Sequence, residues 1–250
     1  MYSKLLLVLL FFCAGLWLPA DSIVLEAHIE HSEKLEPVNQ ALAPGAVFDL
    51  KDLGPLPDPT VANRWYKVPA WLAGTWHKDS QTNYYRYDFV NKTTDITTHV
   101  VEAKSDGRWG TQQDPQGQVW QFDPAPFATT VDAGDEMVVQ LVSRSDPLES
   151  GEQRFVRRSI DTELRIDKST NVIKTVECGE LITSYLPEAD GLVKRETSSK
   201  VFNRFGEGQV LGKSFGYEKR IAPFTAQDTY QGKDLRELFK QFMDKQTVSN

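Results

Sequence analysis

The chain has 250 residues, of which 40% are hydrophobic and 25% are charged, and its formal net charge is -7 at pH 7. This composition is typical of a globular protein and excludes a wholly disordered chain. The negative charge, with no clustered run of Lys and Arg, disfavours binding to nucleic acid and to anionic membrane surfaces.

The first 20 residues have the pattern of an export signal. Lys4 precedes a continuous apolar run over residues 5–18, and Pro19 and Ala20 end that run. The run is shorter than the roughly 20 apolar residues that a membrane-spanning helix needs. We therefore predict a signal peptide over residues 1–20 and export to the periplasm or out of the cell. The alternative is an uncleaved segment, which would be the chain's only means of membrane association.

Residues 21–64 are predicted to form an acidic, proline-rich tether. Four Pro and two Gly fall within residues 41–60, and this density excludes a regular helix or a central strand. We interpret the stretch as a semi-rigid linker or as a strap lying on the domain. His28 and His31 could share one helical face, but no further ligands follow at metal-binding spacing, so we predict no metal site.

Residues 65–250 show strand patterns separated by turn signals. The clearest is 83–90, where Tyr85 and Tyr87 alternate with Arg86 and Asp88. About nine or ten such strands follow one another with no helix between them, which indicates an all-β sandwich or a barrel. Short connections favour an antiparallel up-and-down meander, and closure would remove exposed edge strands. We therefore predict a β-barrel of about 8–10 strands.

The last element has helical periodicity. Its apolar residues are spaced by i, i+3, i+4, i+7 and i+8, namely Leu235, Leu238, Phe239, Phe242 and Met243. Asp234 and Glu237 resemble a capping box, with Asp in the capping role. We predict a closing amphipathic helix over residues 233–245 that lays its apolar stripe on the outside of the sheet.

Gly74-Thr75-Trp76 forms a G-x-W motif on the first strand of the domain. Followed by a meander and a closing helix, it resembles the lipocalins and the wider calycin group over roughly residues 69–245. The resemblance implies that Trp76 plugs the closed end of the barrel and that an Arg near the end of the last strand packs across it. Arg220 is the first candidate for that Arg, and Arg204 is the second. The domain is longer than a typical lipocalin, which favours an enlarged calycin-like relative.

A barrel of this size leaves room for one small, partly hydrophobic ligand, whose identity and any cofactor stay unknown. The alternative is that the aromatic side chains simply fill the core. The candidate ligand-binding residues are aromatic, with one cation among them: Tyr85, Arg86, Tyr87, Trp109, Trp120, Phe122 and Tyr185. Cys178 is the only thiol outside the leader, and we expect it to be buried and inert.

The chain contains no H-E-x-x-H or P-loop motif, and no catalytic residue is predicted. One alternative is a barrel isomerase, cyclase or lyase acting on a hydrophobic or carbohydrate substrate. It would use His99, or a carboxylate pair such as Asp88 and Glu102, if those groups faced one cavity. A second alternative is a non-catalytic envelope or matrix protein that binds a partner through its tether and aromatic surface.

Overall fold

The computed structural model of the protein describes residues 30–53 and 58–248. The predicted signal peptide, the first part of the tether and His28 lie outside these residues. Two short 3-10 turns, Gln40–Leu42 and Leu50–Leu53, precede the helix α1 (Pro59–Ala62), and the chain ends in the helix α2 (Leu235–Val248). The strands between them are β1 (Arg64–Val68), β2 (Gly74–Asp88), β3 (Thr93–Asp95), β4 (His99–Trp109), β5 (Gln112–Gln113), β6 (Val119–Asp123), β7 (Phe127–Ala133), β8 (Glu136–Ser150), β9 (Phe155–Asp167), β10 (Ile173–Ala189), β11 (Leu192–Phe202), β12 (Gly208–Ala222), β13 (Thr229–Tyr230) and β14 (Lys233–Asp234).

Nine of these strands form one antiparallel main sheet. Strands β7 to β12 pair in chain order, β12 then pairs with β2, and both β3 and β4 pair with the other side of β2. The predicted antiparallel all-β architecture is therefore confirmed. Between the described residues, no pairing joins β4 to β7, so a closed barrel is not confirmed. The chain between these two strands instead forms β5 and β6, and β6 pairs with both β5 and β1 in a separate small sheet.

Tight turns fix the register of the meander. Loops of two residues join β7 to β8 and β10 to β11, and each contains one glycine with positive φ, Gly134 at 76° and Gly191 at 71°. Glycine adopts this backbone conformation without a steric penalty. Since side chains alternate between the two faces of a strand, a fixed register also decides which residues share a face.

The face of the main sheet that carries Trp76, here called the tryptophan face, is covered at one end by an aromatic core. Trp76 is 1% exposed, and its Nε1 donates to the Leu72 carbonyl oxygen at 2.7 Å. Trp109, Phe155 and Tyr185 complete the cluster. Strand β2 begins at Gly74, where φ is 137° and where an added Cβ would lie 2.7 Å from a backbone oxygen, so only glycine fits.

The opposite face, here called the strap face, is covered by residues 31–48 (the strap). Leu42 and Phe48 are buried against apolar side chains of β8, β9 and β10, including Val139 and Leu164. Backbone hydrogen bonds fix the strap at both ends, because Leu35 donates to Gly206 and Phe48 donates to Asn171. The strap segment of the predicted tether is thus part of the folded domain.

The C-terminal helix is confirmed, and it packs on the small sheet. The Asp234 carboxylate caps the start of the helix, because it accepts hydrogen bonds from the backbone N–H groups of Arg236 and Glu237 at 2.8 and 3.2 Å. Leu235 and Phe239 are buried, and the Phe239 ring lies 4.8 Å from that of Trp65 in β1. The apolar stripe therefore covers β1 and β6 instead of the main sheet.

Truncating this contact should destabilise the domain. We expect Phe239→Ala to lower the free energy of unfolding by roughly 3 kcal/mol, since it removes a buried ring and leaves a cavity against Trp65. Urea denaturation followed by tryptophan fluorescence measures the change. The exposed Gln241→Ala on the same helix should alter the value by less than about 0.5 kcal/mol. Equal effects of the two substitutions would contradict the observed packing.

Candidate functional site

Trp109 and Tyr185, two predicted ligand-binding residues, lie in the aromatic core beside Trp76. Their rings are 5.1 Å apart, and Trp109 lies at the same distance from Phe155. Both side chains are buried. These aromatic side chains contact one another, as expected if they simply fill the core, which was the alternative to ligand binding.

Trp120 and Phe122 lie in β6, under helix α2. The Trp120 ring is 5.4 Å from Phe242, and the Phe122 ring is 5.2 Å from Trp65. The indole Nε1 of Trp120 donates to Asp114 at 2.9 Å. These two residues therefore hold the helix and the small sheet together, at a site separate from the core beside Trp76.

Tyr85, Arg86 and Tyr87 lie along β2. The Tyr85 ring contacts the Lys213 ammonium at 5.4 Å on the strap face, while the guanidinium of Arg86 lies 3.8 Å from Asp88. Tyr85 and Arg86 also line a small cavity of about 260 Å³ between β2, β11 and β12. The structure thus distributes the predicted ligand-binding residues over three separate places.

Arg220 lies across Trp76, in the arrangement that the lipocalin resemblance implies. The two residues are directly opposite each other in β12 and β2, and the guanidinium carbon is 4.8 Å from the centre of the indole ring. The guanidinium also donates to the Trp71 carbonyl oxygen at 2.6 Å. A cation over an indole face, tied to the backbone, holds that ring in place. The other candidate, Arg204, stacks on Phe205 instead.

The tryptophan face beyond the aromatic core is charged. Glu218 is buried and lies 3.3 Å from Arg195, while the buried Lys78 is opposite Glu218 in β2. Burial lowers the pKa of Lys78, and the nearby Arg195 lowers it further. An apolar ligand on these groups would remove water from several charges, which is costly. This face therefore suits an apolar guest poorly.

The residues named for possible catalysis do not come together. His99 is exposed at the start of β4. Glu102 is opposite Ser80 in β2, whereas Asp88 is eight residues further along that strand, a separation of about 26 Å at the usual strand rise. Asp88 instead accepts hydrogen bonds from Val90 and Asn91 in the following turn. The carboxylate pair has no shared cavity.

An apolar cavity of about 480 Å³ lies between the strap and the strap face of the sheet. We call it the strap cavity. Its apolar lining comes from Leu35, Val38 and Leu42 of the strap and from Leu141, Ile160 and Cys178 of the sheet. Ser143, Arg144 and Thr162 add polar groups at the wall. Its volume is within the range of pockets that hold small molecules.

Cys178 is buried in the wall of the strap cavity, where its sulfur lies 3.8 Å from the Thr162 hydroxyl. Burial raises the pKa of the thiol, and so the reactive thiolate is disfavoured. This is the environment expected for an inert structural thiol.

A buried carboxylate fixes the start of the strap over the sheet. Glu180 in β10 is completely buried, and it accepts from the Ser32 amide at 2.7 Å, the Ser32 hydroxyl at 2.9 Å and His31 Nδ1 at 2.9 Å. The Nε atom of Arg158 lies 3.2 Å from Oε1 of Glu180, and Lys200 donates to the Ser32 carbonyl oxygen at 2.7 Å. We call this group the strap anchor.

The strap anchor shifts two pKa values. Burial by itself would raise the pKa of Glu180, but the hydrogen bonds from Ser32 and His31 outweigh it, and the pKa is lowered. Burial also lowers the pKa of His31, against the raising effect of its bond to Glu180. At neutral pH the carboxylate is therefore charged and the imidazole is neutral.

Among residues 30–53 and 58–248, no three side chains of His, Cys, Asp or Glu are grouped so that they could hold a metal ion. The helices of that same part of the chain include none that is both long and apolar enough to span a membrane. No protein-family model matches the chain, and no curated protein or solved structure is significantly similar to it.

The strap anchor was not predicted from the sequence. One signal was present, because Glu180 interrupts an alternating apolar row formed by Val176, Cys178 and Ile182. A charge in a row of buried side chains needs a partner. Its partner His31 lies 149 residues away in the chain, and no sequence pattern around either residue predicts their contact.

The lowered pKa of His31 predicts acid sensitivity. In the unfolded chain His31 takes up a proton near its ordinary pKa of 6.5, whereas in the folded state it does so only at lower pH. At a pH between these two pKa values the unfolded state binds more protons than the folded state. The contribution of neutral His31 to the free energy of unfolding is therefore complete above pH 6.5 and is lost as the pH falls. Urea denaturation between pH 7.5 and 5 should show a smaller acid loss for His31→Gln than for the wild type.

The exposed His99→Gln is the matched control for this measurement. Because His99 is not part of the strap anchor, this variant should keep the acid loss of the wild type. If His31→Gln and the wild type lose equal stability on acidification, the neutral, buried state of His31 is wrong.

Proposed function

We propose that this protein binds a small, partly hydrophobic molecule and that the strap cavity is the binding site. The observation that carries the proposal is the cavity itself, a largely apolar space of about 480 Å³ between the strap and three strands of the main sheet. It has the size and the apolar lining of a small-molecule site. The tryptophan face is less suitable, since it carries the charged side chains of Lys78, Arg195 and Glu218.

The lining favours an amphipathic ligand. Leu35, Val38 and Leu141 would contact an apolar body, and removal of that body from water would drive binding. Ser143, Arg144 and Glu36 are exposed at the wall, where a polar end could stay hydrated. A small molecule with an apolar chain or ring and one polar end meets both conditions.

We further propose that the protein is an enlarged relative of the lipocalins. The support is the pairing of the first long strand, β2, with the last, β12, together with the cation of Arg220 over the ring of Trp76. In a closed up-and-down barrel the first and last strands pair, and this pairing is present here. In the closed barrel that we propose for the ligand-bound or fully assembled protein, β4 and β7 would meet.

We also propose that the protein is exported. The apolar run over residues 5–18 after Lys4 supports a secretory signal. A carrier for a sparingly soluble molecule would act in the periplasm or outside the cell. Its partner is then the small molecule and not nucleic acid, as the net charge of -7 also favours.

Ligand binding can be tested by filling the cavity. Fluorescence titration with 1-anilinonaphthalene-8-sulfonate, followed by displacement with straight-chain fatty acids of increasing length, measures affinity in the wild type. Ser143 is an exposed residue of the cavity wall, and Ser143→Trp should weaken binding at least roughly tenfold, about 1.4 kcal/mol, because the indole occupies the site.

Thr129→Trp is the matched control. Thr129 is exposed in β7 and is not part of the cavity wall, so this variant adds the same ring elsewhere and should bind like the wild type. The proposal fails if fatty acids do not displace the dye. It also fails if Ser143→Trp and Thr129→Trp bind with equal affinity.

A further inference from the structure

Two side chains of the strap anchor, Glu180 and His31, form a continuous hydrogen-bonded row with Ser198. The Ser198 hydroxyl oxygen in β11 lies 2.8 Å from His31 Nε2, and His31 Nδ1 lies 2.9 Å from Glu180 Oε2. A hydroxyl on one ring nitrogen and a buried carboxylate on the other is the arrangement that activates a serine nucleophile. We propose that Ser198 and His31 are catalytic residues of an esterase site and that Glu180 is their positioning residue.

The protonation states fit these roles. Against the effect of burial, hydrogen bonds from Ser32 lower the pKa of Glu180 and keep it a carboxylate, so it accepts a hydrogen bond from the N–H at His31 Nδ1. The lone pair of Nε2 then points to Ser198, whose hydroxyl donates to it. Because burial keeps the imidazole neutral near pH 7, it is ready to take a proton.

The surroundings of Ser198 leave one side open. Ile182 lies directly opposite it in β10, and Lys213 lies directly opposite in β12, on the same face of the sheet. Ser198 is half-buried and Lys213 is exposed, so a substrate would approach over β12 and β2. Lys213, whose ammonium lies over the Tyr85 ring, is the nearest cation of β12 in register with Ser198, and it would stabilise negative charge that develops on a carbonyl oxygen there.

The reaction assigned to this site is hydrolysis of a carboxylic ester. Ser198 Oγ bonds to the carbonyl carbon while its proton passes to His31 Nε2. The bond from carbon to the alcohol oxygen breaks, and the leaving alcohol takes that proton. Water then attacks the acyl-serine and gives a proton to Nε2, and the acid departs as that proton returns to Ser198. The inference stands independently of ligand binding in the strap cavity.

A fluorophosphonate reagent tests the nucleophile in the full-length protein, because Ser198 Oγ would form a bond to phosphorus as fluoride leaves. We expect one phosphonyl group per chain, located at Ser198 by peptide mapping. The rate of labelling should fall at a pH below the ordinary histidine pKa of 6.5, because burial lowers the pKa at which His31 of the folded chain takes up a proton. Ser199 is adjacent in β11 and points to the other face, so Ser199→Ala should be labelled like the wild type.

Two variants separate catalysis from a structural role. His31→Gln can still bond to Glu180 and Ser198, but it cannot take a proton, so labelling of Ser198 should fall at least a hundredfold while the circular dichroism spectrum is unchanged. Ser198→Cys should react with iodoacetamide at pH 6 much faster than Ser198→Cys combined with His31→Gln. Absence of labelling at Ser198 in the wild type, or equal rates with and without His31, overturns the proposal.

Discussion

The charge of Glu180 in the middle of the main sheet is the constraint on which the rest of the strap face depends. A completely buried carboxylate is very unfavourable without partners, and its neighbours in β10 on the same face, Cys178 and Ile182, cannot supply them. Arg158 of the sheet and His31 and Ser32 of the strap do so. Hydrogen bonds to this one side chain therefore fix the start of the strap, while the backbone hydrogen bonds of Leu35 and Phe48 and the apolar contacts of Leu42 and Phe48 hold the rest.

The two faces of the main sheet have opposite chemistry. On the tryptophan face, an aromatic core with Arg220 over Trp76 occupies one end, and charged groups such as Glu218 and Arg195 occupy the rest. On the strap face, the part of the sheet that Leu42 and Phe48 cover is apolar, and the buried charge is at the strap anchor. A barrel protein is expected to bind an apolar guest on the face that carries its tryptophan plug. Here the polarity of the side chains favours the other face.

The sequence contained much of the fold and little of the site. Alternation over residues 83–90 correctly indicated a strand, and the apolar spacing from Leu235 correctly indicated a helix, because both signals are local. The strap anchor depends on contact between residues that are 149 positions apart, and no local sequence pattern predicts such a contact. The missing pairing of β4 with β7 has a similar origin, since turn signals specify hairpins but not which edges meet.

The strap cavity and the Ser198 row are physically linked through the strap. Leu35, Val38 and Leu42 form one wall of the cavity, and they follow His31 in the same short segment. A movement that lifts this segment opens the cavity, and it also draws His31 away from Ser198 and exposes the charge of Glu180. Because a buried carboxylate without its partners is costly, such an opening is opposed by the same hydrogen bonds that align the imidazole. Access to the cavity and activation of the hydroxyl therefore depend on one shared set of contacts.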